Sequence, residues 1–444
     1  MTHIYGLAAS LSELAGLGWA LGMALFTSVY VTLYFVGMPC GAAVVPALAV
    51  AVAGITGGLC KLYSMRMRRT VFITPRYSPL FTVAGLGIAV VQMTITVWMA
   101  RHSLLRYADA WNVWGYKARM FALNGPPAVY FHSEAFPSHP DYPLNFPLAE
   151  AAFFRFPDPL GLHLAALVSP ACLGALILLL YAGLTRLYGS TVAALGAATL
   201  LLVPYVLRMA SYGYADVPVA LYMGAAALYL LLWWRLHQVA DLLLMGLLAG
   251  GAMWTKKEGV PVALVLLFAC VIGEVVRGRA PLRSRVLHIL CVGVAAVGLP
   301  LPWFIFTQTA HPVGSDLQPV TLAVFVANAP HMLRILDLFV QQTLVVERWS
   351  LFWVSLAALV LFAGLRLSRC GRALLMLLSA QLGIYLLAYL FSSWRSYEVH
   401  IQTSLSRLML QATPLALLVI LEAVHSLVPY IDSPSSRSSL PLHW

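Results

Sequence analysis

The sequence predicts an all-α polytopic membrane protein, a bundle of about 12 (11 to 13) transmembrane helices. Hydrophobic residues occupy 61% of its 444 positions and charged residues only 10%, whereas soluble domains carry about 25% charged residues. Apolar runs of about 20 residues, the length that crosses a bilayer, recur along the whole chain. A glycine period, a sustained heptad repeat and the charge of a disordered chain are all lacking. The composition therefore excludes soluble, collagen-like, coiled-coil and disordered classes.

Twelve segments are apolar enough to be spans. They are 15–37, 40–60, 80–100, 161–184, 190–207, 217–234, 242–255, 260–276, 286–307, 349–365, 373–391 and 408–428. No Lys or Arg precedes the first segment, which is as long as a full span, so we interpret it as a retained helix and not as a cleaved signal. The six cysteines show no CxxC spacing, which favours buried thiols over a disulfide framework or a thiolate metal site.

The distribution of charge predicts the orientation. With both termini in the cytoplasm, 15 basic and 5 acidic residues lie inside, and 12 basic and 11 acidic residues lie outside. This asymmetry follows the positive-inside rule, so most of the formal charge of +11 is an orientation signal and nucleic acid is not an expected partner. We expect a multi-pass protein of the plasma (inner) membrane with long extracytoplasmic loops at 101–160 and 310–348, where a functional site would lie.

The first long loop carries a candidate general base. Trp111, Trp114, Ala118 and Phe121 share one face of a predicted helix, which we interpret as an interfacial helix lying on the membrane. Asp109 begins that helix. An N-cap and a general base are both open interpretations of Asp109, because a carboxylate beside aromatic surface is partly desolvated.

Further candidates for substrate or phosphate binding follow in the same loop and in later turns. Asp216 precedes an apolar helix, so it too is either an N-cap or a site acid. Lys256 and Lys257 lie between two segments too short to span comfortably, which indicates a turn below the membrane surface and predicts that at least one lysine faces a cavity and meets an anion such as phosphate. A simple surface turn with a Lys–Glu pair is the alternative. The remaining candidates are Lys117, His139, Tyr142, Glu258, His400 and Arg407, together with Trp111.

The order of these features resembles the GT-C superfamily of integral-membrane glycosyltransferases, especially the bacterial group related to protein O-mannosyltransferases and lipid A aminoarabinose transferases. The resemblance covers most of the chain after Leu80. It depends on an acid in the first long loop (Asp109), a Tyr-Ala-Asp-Val-Pro turn (Asp216), a Gly-rich helix before Thr-Lys-Lys-Glu-Gly (Lys256), and a late Arg ahead of Pro (Arg407).

The resemblance implies an enzyme that transfers a hexose or pentose from a polyprenyl-phosphate donor to a lipid, glycan or protein acceptor on the outer face, with inversion. Asp109 would take the proton from the acceptor hydroxyl. Lys256 or Lys257, with Arg407, would hold the donor phosphate, and Asp216 would orient sugar or acceptor. Asp109 is followed by Ala110 and Trp111 and not by Asp-x-Asp, so no cofactor is expected and a divalent metal is not implied.

By the same resemblance the chain divides into five parts. They are two additional N-terminal helices (1–79), a catalytic transmembrane core (80–309), the second outer loop (310–348), the C-terminal helices (349–428) and a cytoplasmic tail (429–444). Two other functions remain open at this point. A twelve-helix secondary transporter is one, although no internal repeat is visible. An envelope polysaccharide ligase or polymerase is the other, since His311, His331 and Arg334 lie in the second outer loop.

Overall fold

The computed structural model describes residues 2–37, 49, 52–53, 56–57, 79–123, 128–131, 139–277, 281–312, 314 and 316–427. Within these ranges the chain is almost entirely helical, and the β-type contact found there is an isolated bridge between Leu317 and Ser392. The all-α fold class is therefore confirmed.

The helices are numbered in chain order. The first group is α1 (Thr2–Phe35), α2 (Pro79–Ser103), α3 (Tyr116–Leu123), α4 (Asn145–Phe153), α5 (Leu160–Ala165), α6 (Val168–Tyr188), α7 (Ser190–Leu201) and α8 (Pro204–Tyr212). The second group is α9 (Asp216–Leu236), α10 (Val239–Thr255), α11 (Gly259–Arg277), α12 (Leu282–Gly298), α13 (Leu301–Ala310), α14 (Leu322–Asn328), α15 (Met332–Thr343), α16 (Val346–Trp349), α17 (Phe352–Ala363), α18 (Arg369–Leu390) and α19 (Tyr397–Leu427). A π-helical turn, Ala110–Gly115, precedes α3, and 3-10 turns span Ala128–Phe131, Ala329–His331 and Gly364–Arg366.

Eight helical stretches of the described chain are long and apolar enough to cross a membrane, or ten if each of two bent pairs is one span. The bent pairs are α7 with α8, at 67°, and α12 with α13, at 57°. The protein is an integral membrane protein, but a count of about 12 spans is not confirmed. The predicted segments 242–255 and 349–365 form shorter apolar helices, and 40–60 lies outside the described residues except for five positions.

The predicted second outer loop contains helices that the sequence analysis did not resolve. The stretch Leu322–Thr343 is one of the eight candidate spans, although only 11% of its apolar window is buried. In α15, Ile335 and Leu338 pack inward, whereas Arg334 and Asp337 pair with each other on the exposed side. This division of polar and apolar faces is typical of a helix that lies at a membrane interface.

Helix α9 forms the centre of the bundle, with 94% of its apolar window buried. It packs against α6, α10 and α19. A Cβ atom on Gly224 of α9 would lie 2.4 Å from Pro414 Cβ of α19, so the close approach of these two helices requires glycine. The same packing brings the beginning of α9 beside the middle of α19, where Gln411 Nε2 donates to Asp216 Oδ1.

Buried ion pairs join the opposite ends of the same helices. Arg186, at the end of α6, donates to Asp241 of α10 at 2.8 Å and to Glu13 of α1 at 3.3 Å. Arg235, at the end of α9, donates to Glu422 of α19 at 2.7 Å. Because breaking a buried pair leaves an uncompensated charge, these contacts hold the helices in register far from the site described below.

Candidate active site

Four connecting segments and the start of α19 meet at one end of the bundle. The segments are the turn after α2 that carries Asp109, the stretch 139–144 before α4, the turn between α8 and α9, and the turn 256–258 between α10 and α11. Ion pairs and hydrogen bonds join their charged side chains from one segment to the next. The site is thus assembled from parts of the chain that are far apart in sequence.

The turn that carries Asp109 is fastened to the end of α8. Ser103 Oγ donates to the carbonyl oxygen of Ser211 at 2.7 Å. Leu105 has a positive φ of 57°, and a Cβ atom on Gly213 would lie 2.3 Å from Leu105 Cδ2. Gly213 also has a φ of +77°, so both the turn and the close approach require glycine. Asp109 and the start of α9 are thereby fixed relative to each other.

The Asp109 side chain forms an ion pair with Arg407 of α19. Asp109 occupies the N-cap position of the π-helical turn, as the sequence allows, but its side chain makes no capping hydrogen bond. The Arg407 guanidinium carbon also lies 5.6 Å from the centre of the Tyr214 ring. Burial, with a smaller contribution from the Asp109 carboxylate, raises the pKa of Tyr214 to about 12, which keeps its hydroxyl protonated.

Lys256 lies in a turn that glycine makes possible. A Cβ atom on Gly259 would lie 2.0 Å from the carbonyl oxygen of Ala252, so the chain reverses there without a side chain. The Lys256 side chain is 6% exposed, and its Nζ donates to Asp216 Oδ1 and Glu258 Oε1, both at 2.9 Å. Burial opposes the charge on Lys256, but the two carboxylates outweigh it and raise the pKa above its ordinary value. Lys256 is therefore an ammonium ion.

Asp216 is the first residue of α9 and is almost fully buried. The N-cap position is Ala215, without a side-chain cap, so the interpretation of Asp216 as an N-cap is wrong. Its Oδ1 accepts hydrogen bonds from Lys256 and, at 2.8 Å, from Gln411 Nε2. Asp216 thus connects α9, the turn after α10, and α19.

Lys257 faces a different partner and is 42% exposed. Its Nζ pairs with Asp141, which is buried, and lies 5.5 Å from the centre of the Tyr142 ring. Both lysines pair with carboxylates of the protein, and the pair of Lys256 with Glu258 is the Lys–Glu pair of the alternative interpretation. Binding of phosphate by either lysine stays a prediction.

A second layer of polar and aromatic side chains lies beside this cluster. Tyr142 donates to Asp316 Oδ2 at 3.1 Å, and Trp394 Nε1 donates to Asp316 Oδ1 at 3.0 Å. His139 stacks on Tyr142 at 4.7 Å, and His400 stacks on Trp394 at 4.6 Å. Burial raises the pKa of Asp316, but hydrogen bonds from Trp394 and Tyr142 and the charge of His139 lower it overall. Asp316 therefore joins the first loop to the turn before α19.

Lys117 lies behind the cluster and is fully buried. Its Nζ donates to the carbonyl oxygen of His139 at 2.8 Å, between the rings of Trp114 at 5.3 Å and Tyr142 at 5.8 Å. Burial lowers the pKa of Lys117 to about 7, although the Asp141 charge opposes this. Because its contacts are with the loop backbone and two rings, Lys117 is placed to hold the loop.

The predicted tryptophan stripe does not lie on the membrane as one face. Trp114, Ala118 and Phe121 are buried inside the protein, where Trp114 contacts Phe146. Trp111 is 38% exposed. The π-helical turn changes the register between Trp111 and α3, so a uniform 3.6-residue period does not hold. Trp111 borders a cavity next to the cluster and takes no part in its ion pairs.

Unused hydrogen-bonding capacity remains inside the cluster. Asp141 Oδ1, Glu258 Oε2 and Arg407 Nε are buried and have no hydrogen-bond partner among the described residues. Buried polar atoms are usually paired, so unpaired ones mark places where a polar ligand can contribute. Among all the residues that the structure describes, no group of three or more His, Cys, Asp or Glu side chains is placed to hold a metal ion.

Sequence reasoning brought together Asp109, Asp216, Lys256, Glu258 and Arg407, and the structure places them in one cluster. It did not single out Tyr214, Gln411 or Asp316. The Tyr-Gly-Tyr sequence beside Asp216 was a signal for Tyr214, and a loop acid after Gly-Ser was a weak signal for Asp316. Gln411 carries no sequence signal, because an amide within an apolar helix has many ordinary uses.

Residues 161–306 match the family of dolichyl-phosphate-mannose-protein mannosyltransferases. The match contains Asp216 and the lysine turn, and it confirms the resemblance to the GT-C superfamily. No curated protein and no solved structure matches the chain. The matched residues are about a third of the chain, and together with the apolar helical bundle the match supports a membrane glycosyltransferase of the GT-C type. It favours this class over the transporter and the polysaccharide ligase or polymerase that the sequence leaves open.

Proposed function

We propose that the protein moves a sugar from a polyprenyl-phosphate donor to an acceptor hydroxyl at the extracytoplasmic face of the membrane. The observation that carries the proposal is the convergence of a carboxylate, Asp109, with three cations, Lys256, Lys257 and Arg407, from sequence-distant segments. A carboxylate can accept a proton, and cations stabilise a phosphate leaving group. The matched family is named for dolichyl-phosphate mannose, which supports a lipid-phosphate donor for this chain.

The ion pair between Asp109 and Arg407 suggests how donor binding prepares the base. In the structure, Arg407 Nη1 donates to Asp109, while Arg407 Nε is unpaired. The phosphodiester of such a donor carries one negative charge, like a carboxylate, but its two free oxygens bind a guanidinium in a bidentate manner, and the phosphate gains a second charge as it leaves. Arg407 therefore turns from Asp109 toward the phosphate, and the Asp109 carboxylate becomes free to accept a proton from the acceptor.

The proposed reaction is a single displacement. The acceptor oxygen forms a bond to the anomeric carbon as the bond from that carbon to the phosphate oxygen breaks, and the electron pair stays on the phosphate. The acceptor proton goes to Asp109, polyprenyl phosphate leaves, and the configuration at the anomeric carbon inverts. Arg407 and Lys257 stabilise the charge that develops on the phosphate. Lys257 is more accessible than Lys256 for this role, because it is 42% exposed and has one carboxylate partner.

The surplus of carboxylate oxygens fits a polyhydroxylated substrate. Ionised carboxylates only accept hydrogen bonds, and Asp141 Oδ1 and Glu258 Oε2 have unused acceptor capacity in the described structure. Sugar hydroxyl groups are matching donors. Asp216, held by Lys256 and Gln411, would supply a fixed negative charge beside them.

The test uses the purified chain in lipid nanodiscs with radiolabelled polyprenyl-phosphate mannose. Because the acceptor is unidentified, release of polyprenyl phosphate by transfer to water is measured first, followed by transfer to membrane extracts. We expect donor-dependent release by the wild type, and release reduced by about 100-fold or more in Arg407→Gln, which keeps the size but not the charge. Arg119→Gln serves as the control, because Arg119 pairs with Asp158 elsewhere in the loop.

Two results would contradict the proposal. One is wild-type protein that neither binds nor consumes any polyprenyl-phosphate sugar of a panel including hexose and pentose donors. The other is an Arg407→Gln variant that retains wild-type donor affinity and turnover. Addition of a chelator in the same assay measures whether a divalent metal takes part.

A further inference from the structure

A separate basic pocket lies at the end of α2, beside the turn that carries Asp109. Its volume is about 410 Å³, and its lining residues are Trp98, Arg101, His102, Leu104, Arg106 and His163. Arg106 and Leu104 also line a neighbouring cavity of about 570 Å³ that reaches Ala108 and Asn112, on both sides of Asp109 in sequence. The lining of the first pocket contains two arginines and two histidines but no acid.

The two arginines of this pocket are not neutralised. In contrast to Arg119 and Arg334, which contact Asp158 and Asp337, Arg101 and Arg106 have no carboxylate partner within the described ranges. Both are exposed. Two exposed guanidinium groups at one site create a positive potential that attracts an anion.

The histidines add hydrogen-bonding groups. His102 Nδ1 lies 2.7 Å from the carbonyl oxygen of Trp98. A carbonyl oxygen can only accept, so Nδ1 is the donor in this contact and Nε2 remains for a ligand. His163 Nδ1 is buried and has no hydrogen-bond partner among the described atoms. Because an unpaired buried polar atom costs free energy, a ligand that pairs with it gains binding energy.

The backbone turn that forms this pocket is strained. Leu104 and Leu105 follow α2 with φ angles of 45° and 57°. Left-handed conformations of two consecutive residues with side chains are strained. Their effect is to reverse the chain after α2, so that Arg101 on the helix and Arg106 beyond the turn line the same cavity.

The helix that leads to the pocket presents an apolar face outward. Only 22% of the α2 apolar window is buried, and Val83, Val90, Val91 and Trp98 are each more than half exposed. Their spacing of 7, 8 and 15 residues places them on one side of the helix. An acyl chain lying along this face would end at the arginines. A soluble anion without an acyl chain could bind the arginines but could not make the apolar contacts with α2.

We propose that this pocket binds the phosphate of an anionic membrane lipid, whose acyl chains lie along the exposed face of α2. The two arginines hold the phosphate, and the free histidine nitrogens contact its oxygens or its polar substituent. The proposal does not depend on the proposed glycosyl transfer. Since Arg106 is three residues before Asp109, the bound lipid would also fix the turn that carries Asp109.

Native mass spectrometry in a neutral detergent tests the proposal. Phosphatidylglycerol and phosphatidylcholine with identical acyl chains are titrated against the wild type, Arg101→Gln/Arg106→Gln, and Arg119→Gln as a matched control with an already paired arginine. We expect one tightly retained phosphatidylglycerol per wild-type chain, with affinity at least tenfold above that for phosphatidylcholine. The double variant should lose this preference, and Arg119→Gln should keep it.

Equal retention of phosphatidylglycerol by the double variant would overturn the proposal. So would complete displacement of the lipid by millimolar inorganic phosphate, since that would show recognition of a free anion. Unfolding temperature without added lipid should be unchanged in the double variant, because both arginines are exposed. If that temperature falls, Arg101→Lys/Arg106→Lys, which keeps both charges, must restore the lipid preference for the proposal to stand.

Discussion

Replacement of Lys256 by Met should destabilise the protein far more than replacement of the adjacent Lys257. Lys256 Nζ lies 2.9 Å from Asp216 Oδ1, and at an effective dielectric constant of about 20 two unit charges at that distance attract by about 6 kcal/mol. Part of this attraction only offsets the free-energy cost of burying the Lys256 ammonium group. The Met variant does not have that cost. About 3–5 kcal/mol of lost stability remains, because Asp216 stays buried and, among the described residues, keeps Gln411 as its hydrogen-bond partner.

The double variant Lys256→Met/Asp216→Asn removes both charges and should recover most of that loss. Lys257→Met is the matched control. Its side chain is 42% exposed, so water can reach the Asp141 carboxylate that the variant leaves behind, and the expected loss is smaller, about 1–2 kcal/mol. Thermal unfolding in detergent micelles, followed by the fluorescence of the 12 tryptophans, compares the three variants. The reasoning is refuted if Lys256→Met is no less stable than Lys257→Met, or if the double variant recovers nothing.

Three further results are expected. Burial lowers the pKa of Lys117 to about 7, so the unfolded chain binds more protons above that pH and stability should rise up to about pH 10; Lys117→Met should flatten this rise in unfolding assays. Glu150 is buried without a hydrogen-bond partner among the described residues, and burial raises its pKa. The contribution of Glu150 to stability should therefore fall as pH rises above about 4, in opposition to that of Lys117, and Glu150→Gln should be equally or more stable than the wild type, with a difference that grows with pH. Gly224→Leu should cost about 1–3 kcal/mol or more through overpacking against Pro414. Gly18→Ala is the comparison: a Cβ atom there meets open space, so this variant should be unchanged or up to about 1 kcal/mol more stable because Ala favours a helix.

The sequence predicted the fold class well because the hydrophobic effect acts on each helix separately. Runs of apolar residues identify helices whatever their neighbours are, so most candidate spans correspond to described helices. The span count was harder to predict. Bends such as the 67° angle between α7 and α8 depend on packing around Pro204, and the amphipathic α15 escapes a search for uniformly apolar runs.

The site residues were predicted as a set, but their partners were not. Asp109 and Arg407 are 298 positions apart, and their contact depends on the approach of α9 and α19. The same limit applies to Asp109 and Asp216, neither of which makes a capping hydrogen bond at the N-cap position of its helix. Each has the local sequence of an N-cap, but a cation from a distant segment offers a stronger interaction than a backbone N–H. Local patterns therefore identified charged residues at helix starts and could not show that they pair with one another.

The most direct test of the central claim is turnover by Asp109→Asn. The amide keeps the size of the side chain and can still contact Arg407, but it cannot accept the acceptor proton. Because Asp109 and Arg407 are 38% and 22% exposed, we expect little change in stability after allowance for screening. Asp158→Asn, in the same loop and paired with Arg119, is the control. With a polyprenyl-phosphate sugar, Asp109→Asn should bind the donor with near wild-type affinity and lose about 100- to 10,000-fold in the rate of transfer. A transfer rate close to that of the wild type would contradict the assignment of Asp109 as the general base.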